Sequence, residues 1–381
     1  MIRSLTFENY RGFPRFEMGN LGRVNLIVGT NNAGKTSVLE AIHILEAPGE
    51  ISPIWATQTR RGEDIDDPDA ARAGRQIDIR RLYHGHNIPI GNRLELTAQT
   101  DRGVDRFSLV IAESSPEARS PQPTLFDPTD TANDSDLLPR ATALGVHWEH
   151  GQSGNDLSAV LELSRRGGVP LDSVRTLGRI SESARVPIRF ITAAALSAEV
   201  VIELFEEVVL TPLEDFVIEA LRIIEPSIAR IATSGAERRR TMSSRNINIR
   251  GGLLVRCEGI GDRIPIGSMG DGIWRLLGLA LALAKTEGGI LLIDEIDTGL
   301  HYSVMENMWR LVNQTAKRHR IQVFATTHSR DCYESLATVC RDTVSKNSEV
   351  TIQRVERGKA KATSYSEKEI VAAAERGMEV R

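Results

Sequence analysis

The sequence predicts an α/β fold in which buried parallel strands carry a phosphate-binding loop. The apolar run at residues 24–29 passes through a glycine-rich loop into a helix that begins near Lys35. Two further apolar runs, at 290–293 and 321–325, each end in polar residues and are separated by a helical pattern over 303–317. Such alternation of buried strands and helices is typical of a parallel sheet covered by helices.

The bulk composition indicates an ordinary globular protein. The chain has 381 residues, 41% of them hydrophobic, and can bury a core in two or three lobes. Its formal net charge of -4 gives no chain-wide attraction for nucleic acid or anionic lipid, so any contact with DNA would require a local basic patch.

The cysteines and the apolar runs favour a reduced, cytoplasmic protein without a membrane partner. The odd number of cysteines, three in all, argues against a disulfide framework. The longest apolar run, 276–284, is too short to cross a bilayer.

The glycine-rich loop fits the pattern GxxxxGK[ST], and it lies between a strand and a helix as that pattern requires. Small residues let backbone N–H groups surround phosphates, Lys35 can reach the β- and γ-phosphates, and Thr36 offers a hydroxyl to Mg²⁺. The alternative is a chance match in a loop. The residues expected to contact the nucleotide are Gly29, Asn31, Asn32, Ala33, Gly34, Lys35, Thr36 and Ser37.

The apolar strand at 290–293 ends in two carboxylates, Asp294 and Glu295. Adjacent strand residues point to opposite faces, so we expect Asp294 to join the Mg²⁺ shell and Glu295 to face a water aimed at the γ-phosphate. The alternative is an acidic strand end without chemistry. His328 follows the next strand, and we expect it at the same sheet edge as Glu295, although a lone histidine is usually structural.

A second glycine-containing turn, "GSMGDG" at 267–272, precedes an apolar helix that begins near Asp271. Ser268, Gly270 and the first amides of that helix predict a second anion site. The chain has one complete nucleotide cradle, so we expect the turn to cap the γ-phosphate held by Lys35 of a second copy in a head-to-tail pair. The alternative is an ordinary turn before a core helix.

We expect five segments along the chain. They are an N-terminal ATPase lobe with the phosphate loop and an antiparallel β subdomain (1–112), a mobile Pro/Ser/Asp-rich insertion (113–140), a β and helical insertion (141–260), a C-terminal ATPase lobe (261–345) and a C-terminal extension (346–381). Within the first segment, two short runs over 94–112 predict a hairpin.

These motifs, in this order, resemble the ABC-type ATPase heads of the SMC, RecF and overcoming-lysogenisation-defect (OLD) families. The resemblance is carried by "FENYRGF", "GTNNAGKTS", "GSMGDG", "LLIDEIDTGLH" and "ATTHS". The wording of the last two is most similar to the OLD-like ATPases. The resemblance implies a P-loop NTPase of the ABC type, a homodimer or higher oligomer that closes around ATP and Mg²⁺, and catalytic roles for Glu295 and His328.

The chain also departs from these families. Its signature reads SMGDG where SMC proteins and transporters carry an LSGGQ-like sequence, and Gln58, Gln76 and Gln99 are all candidates for the Q-loop glutamine. The C-terminal TOPRIM nuclease of full-length OLD proteins has no counterpart after His328. The resemblance therefore implies a nuclease or toxin effector supplied by a separate protein, in antiphage defence.

Two other functions remain open at this stage. A RecF-like repair ATPase would contact DNA, and the arginines of 238–250 could meet its phosphates if they share a face, although a solvated loop is an alternative account of them. A low-turnover scaffold would use nucleotide only to sequester an effector.

Overall fold

A computed structural model describes residues 1–65, 76–113, 142–151, 156–164, 166–170, 186–234, 252–343 and 349–378. The expected mobile insertion therefore lies outside the described residues apart from Glu113. The helices are α1 (Lys35–Leu45), α2 (Ser52–Arg61), α3 (Ala198–Val208), α4 (Pro212–Leu221), α5 (Asp271–Ala284), α6 (Tyr302–Arg318), α7 (Arg330–Thr343) and α8 (Glu367–Glu375).

The strands are β1 (Ile2–Tyr10), β2 (Phe13–Met18), β3 (Val24–Val28), β4 (Asp64–Ile65), β5 (Gln76–Asp78), β6 (Arg93–Thr100), β7 (Gly103–Glu113), β8 (Thr142–His150), β9 (Leu157–Glu162), β10 (Gly168–Pro170), β11 (Ile188–Ile191), β12 (Ile228–Thr233), β13 (Leu253–Cys257), β14 (Ile264–Pro265), β15 (Ile290–Ile293), β16 (Gln322–Thr326), β17 (Val350–Arg354) and β18 (Thr363–Ser366).

The chain divides into two compact units. The first comprises Met1–Gly19, Glu40–Arg185 and Gly358–Lys361, and the second comprises Asn20–Leu39, Val186–Arg357 and Ala362–Arg381. This division cuts across the expected segments 1–112 and 141–260. The reason is long-range strand pairing: β1 pairs with β6, whereas β3 pairs with β16 and β17, which lie some three hundred residues later.

The first unit is built on an antiparallel sheet with the strand order β2-β1-β6-β7-β8-β9. The hairpin predicted over 94–112 is confirmed as β6 and β7. Alternate residues are buried along β6, and the buried aromatic pairs of the sheet include Phe7 with Phe16, which is stacked, and Phe107 with Trp148, which is tilted. A smaller sheet, β10-β5-β4, completes this unit.

The second unit contains the predicted α/β core. Its main sheet has the order β11-β15-β16-β3-β17-β18, and every neighbouring pair is parallel except β17 with the edge strand β18. Strands β3, β15 and β16 are buried at every position, as expected for a sheet covered on both faces. Helix α5 is almost wholly buried, and α3 and α4 pack against it.

Helix boundaries in this unit follow the sequence closely. Helix α1 begins at Lys35, α5 begins at Asp271, and α6 extends one residue beyond each end of the predicted 303–317. Across the described parts of the chain, no helix combines the length and the apolar character that crossing a membrane would require. The three cysteines are buried and are not joined by disulfides.

Candidate nucleotide-binding site

The phosphate loop leaves the end of β3 through Gly29. This residue has φ of 149°, and a Cβ atom built on it would lie 2.2 Å from the carbonyl oxygen of Val355. No real Cβ makes so short a contact, so the close approach of the two backbones requires glycine. The loop tip is open to solvent, since Asn31 and Asn32 are exposed, whereas Ala33 and Ser37 are buried.

Lys35 lies folded over its own loop. Its Nζ donates to the carbonyl oxygens of Gly29 at 2.7 Å and of Thr30 at 3.0 Å. Partial burial lowers the pKa of Lys35, while the negative charges of Glu295 and Asp294 oppose that shift. The ammonium is thus surrounded by carbonyl oxygens in a place where a bound phosphate would offer stronger acceptors.

Thr36 and Asp294, the two expected magnesium ligands, are in direct contact. The Thr36 hydroxyl lies 3.0 Å from Oδ1 and 3.1 Å from Oδ2 of Asp294. A hydroxyl beside a carboxylate fits Mg²⁺, which binds hard oxygen ligands and completes its shell with water and phosphate. Over the described residues, no group of three or more His, Cys, Asp and Glu side chains could hold a metal by itself.

Thr326, at the end of β16, connects both carboxylate residues and is not among the site residues predicted from the motifs. Its hydroxyl donates to Oδ1 of Asp294 at 2.7 Å and accepts from the backbone N–H of Glu295 at 2.8 Å. The next residue, Thr327, donates similarly to Asp297 at 2.6 Å. The signal was available in "ATTHS", where two hydroxyls follow a buried strand at the edge that also carries the acids.

Glu295 and His328 meet at this edge, as the order of the strands predicts. His328 Nδ1 lies 3.9 Å from Oε1 of Glu295, and the other oxygen of Glu295 accepts from the Thr298 hydroxyl at 3.1 Å. The Glu295 side chain is 38% exposed and that of His328 is 53% exposed. The carboxylate is therefore reachable by water.

Arg275 is a second residue that the sequence analysis missed. It is 6% exposed, and its guanidinium donates to backbone carbonyls at the ends of β11 and β15. Burial lowers the pKa of Arg275, and the charge of Asp294 is the largest of those that oppose the shift. The signal was an arginine within the otherwise apolar stretch 273–284 of α5.

The second glycine-containing turn lies at the start of α5. Ser268 and Gly270 are exposed, and Gly270 has φ of 93° at the N-cap position, where no side chain caps the helix. A Cβ on Gly272 would lie 3.0 Å from the carbonyl oxygen of Gly299, so the start of α5 packs against the turn that follows the acidic strand.

The Q-loop candidates are all in the first unit. Gln58 and Gln76 are buried, and Gln58 donates to the carbonyl oxygen of Asp78 at 2.7 Å, whereas Gln99 is exposed on β6. The arginine cluster of 238–250 lies outside the described residues.

Two family models match the chain. The model described as "AAA ATPase domain" matches residues 1–129, and the model described as "AAA domain, putative AbiEii toxin, Type IV TA system" matches residues 211–331. The first spans the phosphate loop, and the second spans the turn at 267–272, the acidic strand end and His328.

The matched relatives have either low sequence identity over most of the chain or higher identity over a short segment. An "ATP/GTP phosphatase" of Helicobacter pylori is 21% identical over 360 residues, which is 90% of this chain and 89% of the relative. The DNA replication and repair protein RecF of Chlorobium phaeovibrioides is 48% identical over 42 residues, which is 11% of each chain.

Among solved structures, SMC head domains are similar in outline. A Pyrococcus furiosus SMC head bound to the C-terminal domain of ScpA has a TM-score of 0.47 at 14% identity, with 99% of both chains covered. The SMC head of Thermotoga maritima has a TM-score of 0.41 at 12% identity, with 96% of this chain and 98% of that chain covered. We draw no functional conclusion from structural similarity at these TM-scores.

The fold, the site and the two matched models define a class of protein. The chain has a P-loop α/β core, the fold of P-loop ATPases, and both matched models describe ATPase-type domains. Each of the two models matches about a third of the chain, and the RecF match covers 42 residues.

Proposed function

We propose that the chain binds ATP with Mg²⁺ on the phosphate loop and hydrolyses it with Glu295 as the general base. The observation that carries the proposal is the convergence of Thr36 and Asp294, whose side chains touch although 258 residues separate them. They meet because parallel strands present their carboxyl ends at one edge of the sheet, which is where ligands bind in open α/β folds.

Each residue then has a distinct task. The loop amides and Lys35 would hold the phosphates, and Thr36 with Asp294 would hold the metal ion. Bound Mg²⁺ supplies charge neutralisation at the phosphate oxygens. Glu295 is half-exposed, is held by its N–H to Thr326, and orients an attacking water and accepts its proton. His328, 3.9 Å away, lies close enough to hydrogen-bond to the same water or phosphate.

A second copy of the chain completes the site in this proposal. Ser268 and Gly270 form an exposed turn before a buried helix of 14 residues, and the N-terminus of such a helix favours anions. Placed on the nucleotide of a mate, the turn would cap the γ-phosphate, so two ATP molecules would be enclosed in a head-to-tail dimer.

Hydrolysis in this dimer would control an effector supplied by a separate nuclease or toxin. The support is the family model over 211–331, whose description names a putative AbiEii toxin and a type IV TA system. We place the pair of proteins in antiphage defence, following the resemblance to OLD-like ATPases.

The test is the conservative variant Glu295→Gln. It keeps shape and hydrogen bonding but removes the base, so ATP binding should persist, turnover should fall by about a hundredfold or more, and an ATP-dependent dimer should accumulate. Turnover, nucleotide affinity and sedimentation are measured on the same samples. Lys35→Ala is the companion variant and should lose ATP binding. Undiminished turnover in Glu295→Gln would defeat the proposal.

A second candidate function is supported by the 42-residue match to RecF. A RecF-like repair ATPase would bind DNA in the presence of ATP, and its affinity would fall steeply with salt. ATP-dependent DNA binding without any effect of a partner protein on turnover would favour this function over effector control. A scaffold that merely sequesters an effector would show negligible turnover in the wild type.

A further inference from the structure

The feature that carries a further inference is the set of hydrogen bonds made by Arg275. Its Nη1 donates to the carbonyl oxygens of Thr192 and Ala193, each at 2.8 Å. Its Nη2 donates to the carbonyl oxygens of Asp294 at 2.7 Å and Glu295 at 2.6 Å. One side chain thus ties together the backbone just beyond two neighbouring strands.

The backbone of Glu295 explains how two consecutive carbonyls can reach one nitrogen. In an extended strand successive carbonyl groups point in opposite directions. Glu295 instead has φ of 51°, in the left-handed region that residues with a Cβ rarely adopt. This turn brings its carbonyl round to the same side as that of Asp294, so the strained conformation and the arginine contact belong to one arrangement.

The chemistry of Arg275 also argues for a role beyond packing. The rest of α5 from Ile273 to Ala284 is apolar, and a buried arginine is expensive to desolvate unless all its donors find partners. Its guanidinium donates to four backbone carbonyls, and no carboxylate among the described residues forms an ion pair with it. A planar guanidinium with several fixed donors suits this arrangement, whereas the single nitrogen of a lysine cannot span both strand ends.

We propose that Arg275 is a positioning residue that holds the Glu295 backbone in its left-handed conformation and so aims the Glu295 carboxylate at the water that attacks ATP. This inference rests on the proposed hydrolytic function of Glu295. The Thr326 hydroxyl accepts from the N–H of Glu295, so the Glu295 backbone is held at its N–H by Thr326 and at its carbonyl by Arg275.

The first test separates positioning from binding. In Arg275→Lys and Arg275→Met, kcat should fall at least about tenfold while the KM for ATP stays within about threefold, because the phosphate loop is untouched. Arg275→Lys should not rescue turnover. The matched control is Arg222→Met, which removes another arginine-to-carbonyl bond in the same unit, from Nε to Ile228 at 2.7 Å, and should leave both constants unchanged.

The second test does not depend on turnover. Relative to the wild type, both Arg275 variants should show faster hydrogen exchange in peptides that cover 290–300, where the Glu295 and Ile296 amides bond to Thr326. Exchange in peptides that cover 24–40 should stay the same. The proposal would be overturned by any of three results. These are a wild-type kcat in both variants, a loss of ATP affinity that parallels the loss of kcat, and unchanged hydrogen exchange at 290–300. A wild type without ATPase activity would refute the proposed function instead, and the exchange test would still decide whether Arg275 holds this segment.

Discussion

At the residue scale, the first unit contains a buried titratable group that belongs to none of the motifs. Glu46 follows α1 and is almost fully buried, and burial raises the pKa of its carboxyl to about 7, with the charge of Asp105 adding to the shift. His150 Nδ1 lies 3.0 Å from Oδ1 of Asp105, and that hydrogen bond raises the pKa of His150.

The sign of the pH effect follows from these shifts. The pKa of the Glu46 carboxyl is 4.5 in the unfolded state and about 7 in the folded state. The protonated carboxyl therefore contributes its full stability below pH 4.5, and this contribution is lost as pH rises through about 7. The raised pKa of His150 acts in the same direction, since its stabilising proton is also lost as pH rises.

We therefore predict that Glu46→Gln stabilises the protein more at pH 8 than at pH 5. Between these two pH values, the shift corresponds to a difference of about 2.5 kcal/mol in the free energy of unfolding, measured by urea denaturation at both. The matched control is Glu8→Gln, which makes the same substitution at an exposed position on β1 of the same unit. A Glu46→Gln effect that is equal at pH 5 and pH 8 would contradict the assignment.

At the scale of elements, the parallel pairing of β3 with β17 sets the shape of the phosphate loop. The N–H of Val355 donates to the carbonyl oxygen of Val28 at 2.8 Å, which carries the ladder to the last residue before the loop. Gly29 then contacts the backbone of Val355, and this close contact is possible because glycine has no Cβ atom.

Gly29→Ala should consequently separate these strands. The added Cβ would lie 2.2 Å from a backbone oxygen, so we expect a fall of about 2 kcal/mol or more in the free energy of unfolding and a clear loss of ATP affinity. The measurements are thermal unfolding and nucleotide titration. Gly261→Ala is the control, because a Cβ there meets nothing within 4 Å. Equal effects of the two substitutions would show that the strand contact does not shape the loop.

At the scale of the whole molecule, the proposed dimer has two composite sites, each with a loop from one chain and a turn from the other. This arrangement can be tested by complementation. Lys35→Ala disables the loop, and Ser268→Arg places a bulky side chain on the turn. Each homodimer then has two defective sites, whereas the mixed dimer has one intact site and one doubly defective site.

We predict that each variant alone lacks ATPase activity and that an equal mixture regains about a quarter of the wild-type rate, because half the dimers are mixed and half their sites are intact. Ser268→Arg alone should still bind ATP, since its own loop is unchanged. Mixing either variant with the double variant Lys35→Ala/Ser268→Arg is the control and should restore nothing. No recovery in the first mixture would argue against a shared site.

The sequence alone predicted much of the nucleotide core because local chemistry determined it. The positions of β3 and α1 follow from an apolar run, a loop of small residues and a helix start. The position of Asp294 and Glu295 at a strand end follows from the four apolar residues before them, which are buried in the structure. These elements depend on residues that are close together in the chain, so a local sequence pattern can predict them. The roles assigned to Glu295, His328 and Ser268 remain predictions.

Tertiary structure decided what depends on residues distant in the chain. Sequence placed the phosphate loop in one lobe with residues 1–112, but strand pairing places it with residues 186–357, because hydrogen bonds between distant parallel strands are invisible to a local pattern. The contacts of Thr326 and Arg275 were likewise hidden, since each joins backbone or carboxylate groups that meet only when the sheet forms. Local residue patterns therefore predict which groups are suited to bind a phosphate, whereas long-range strand pairing brings together the groups that position them.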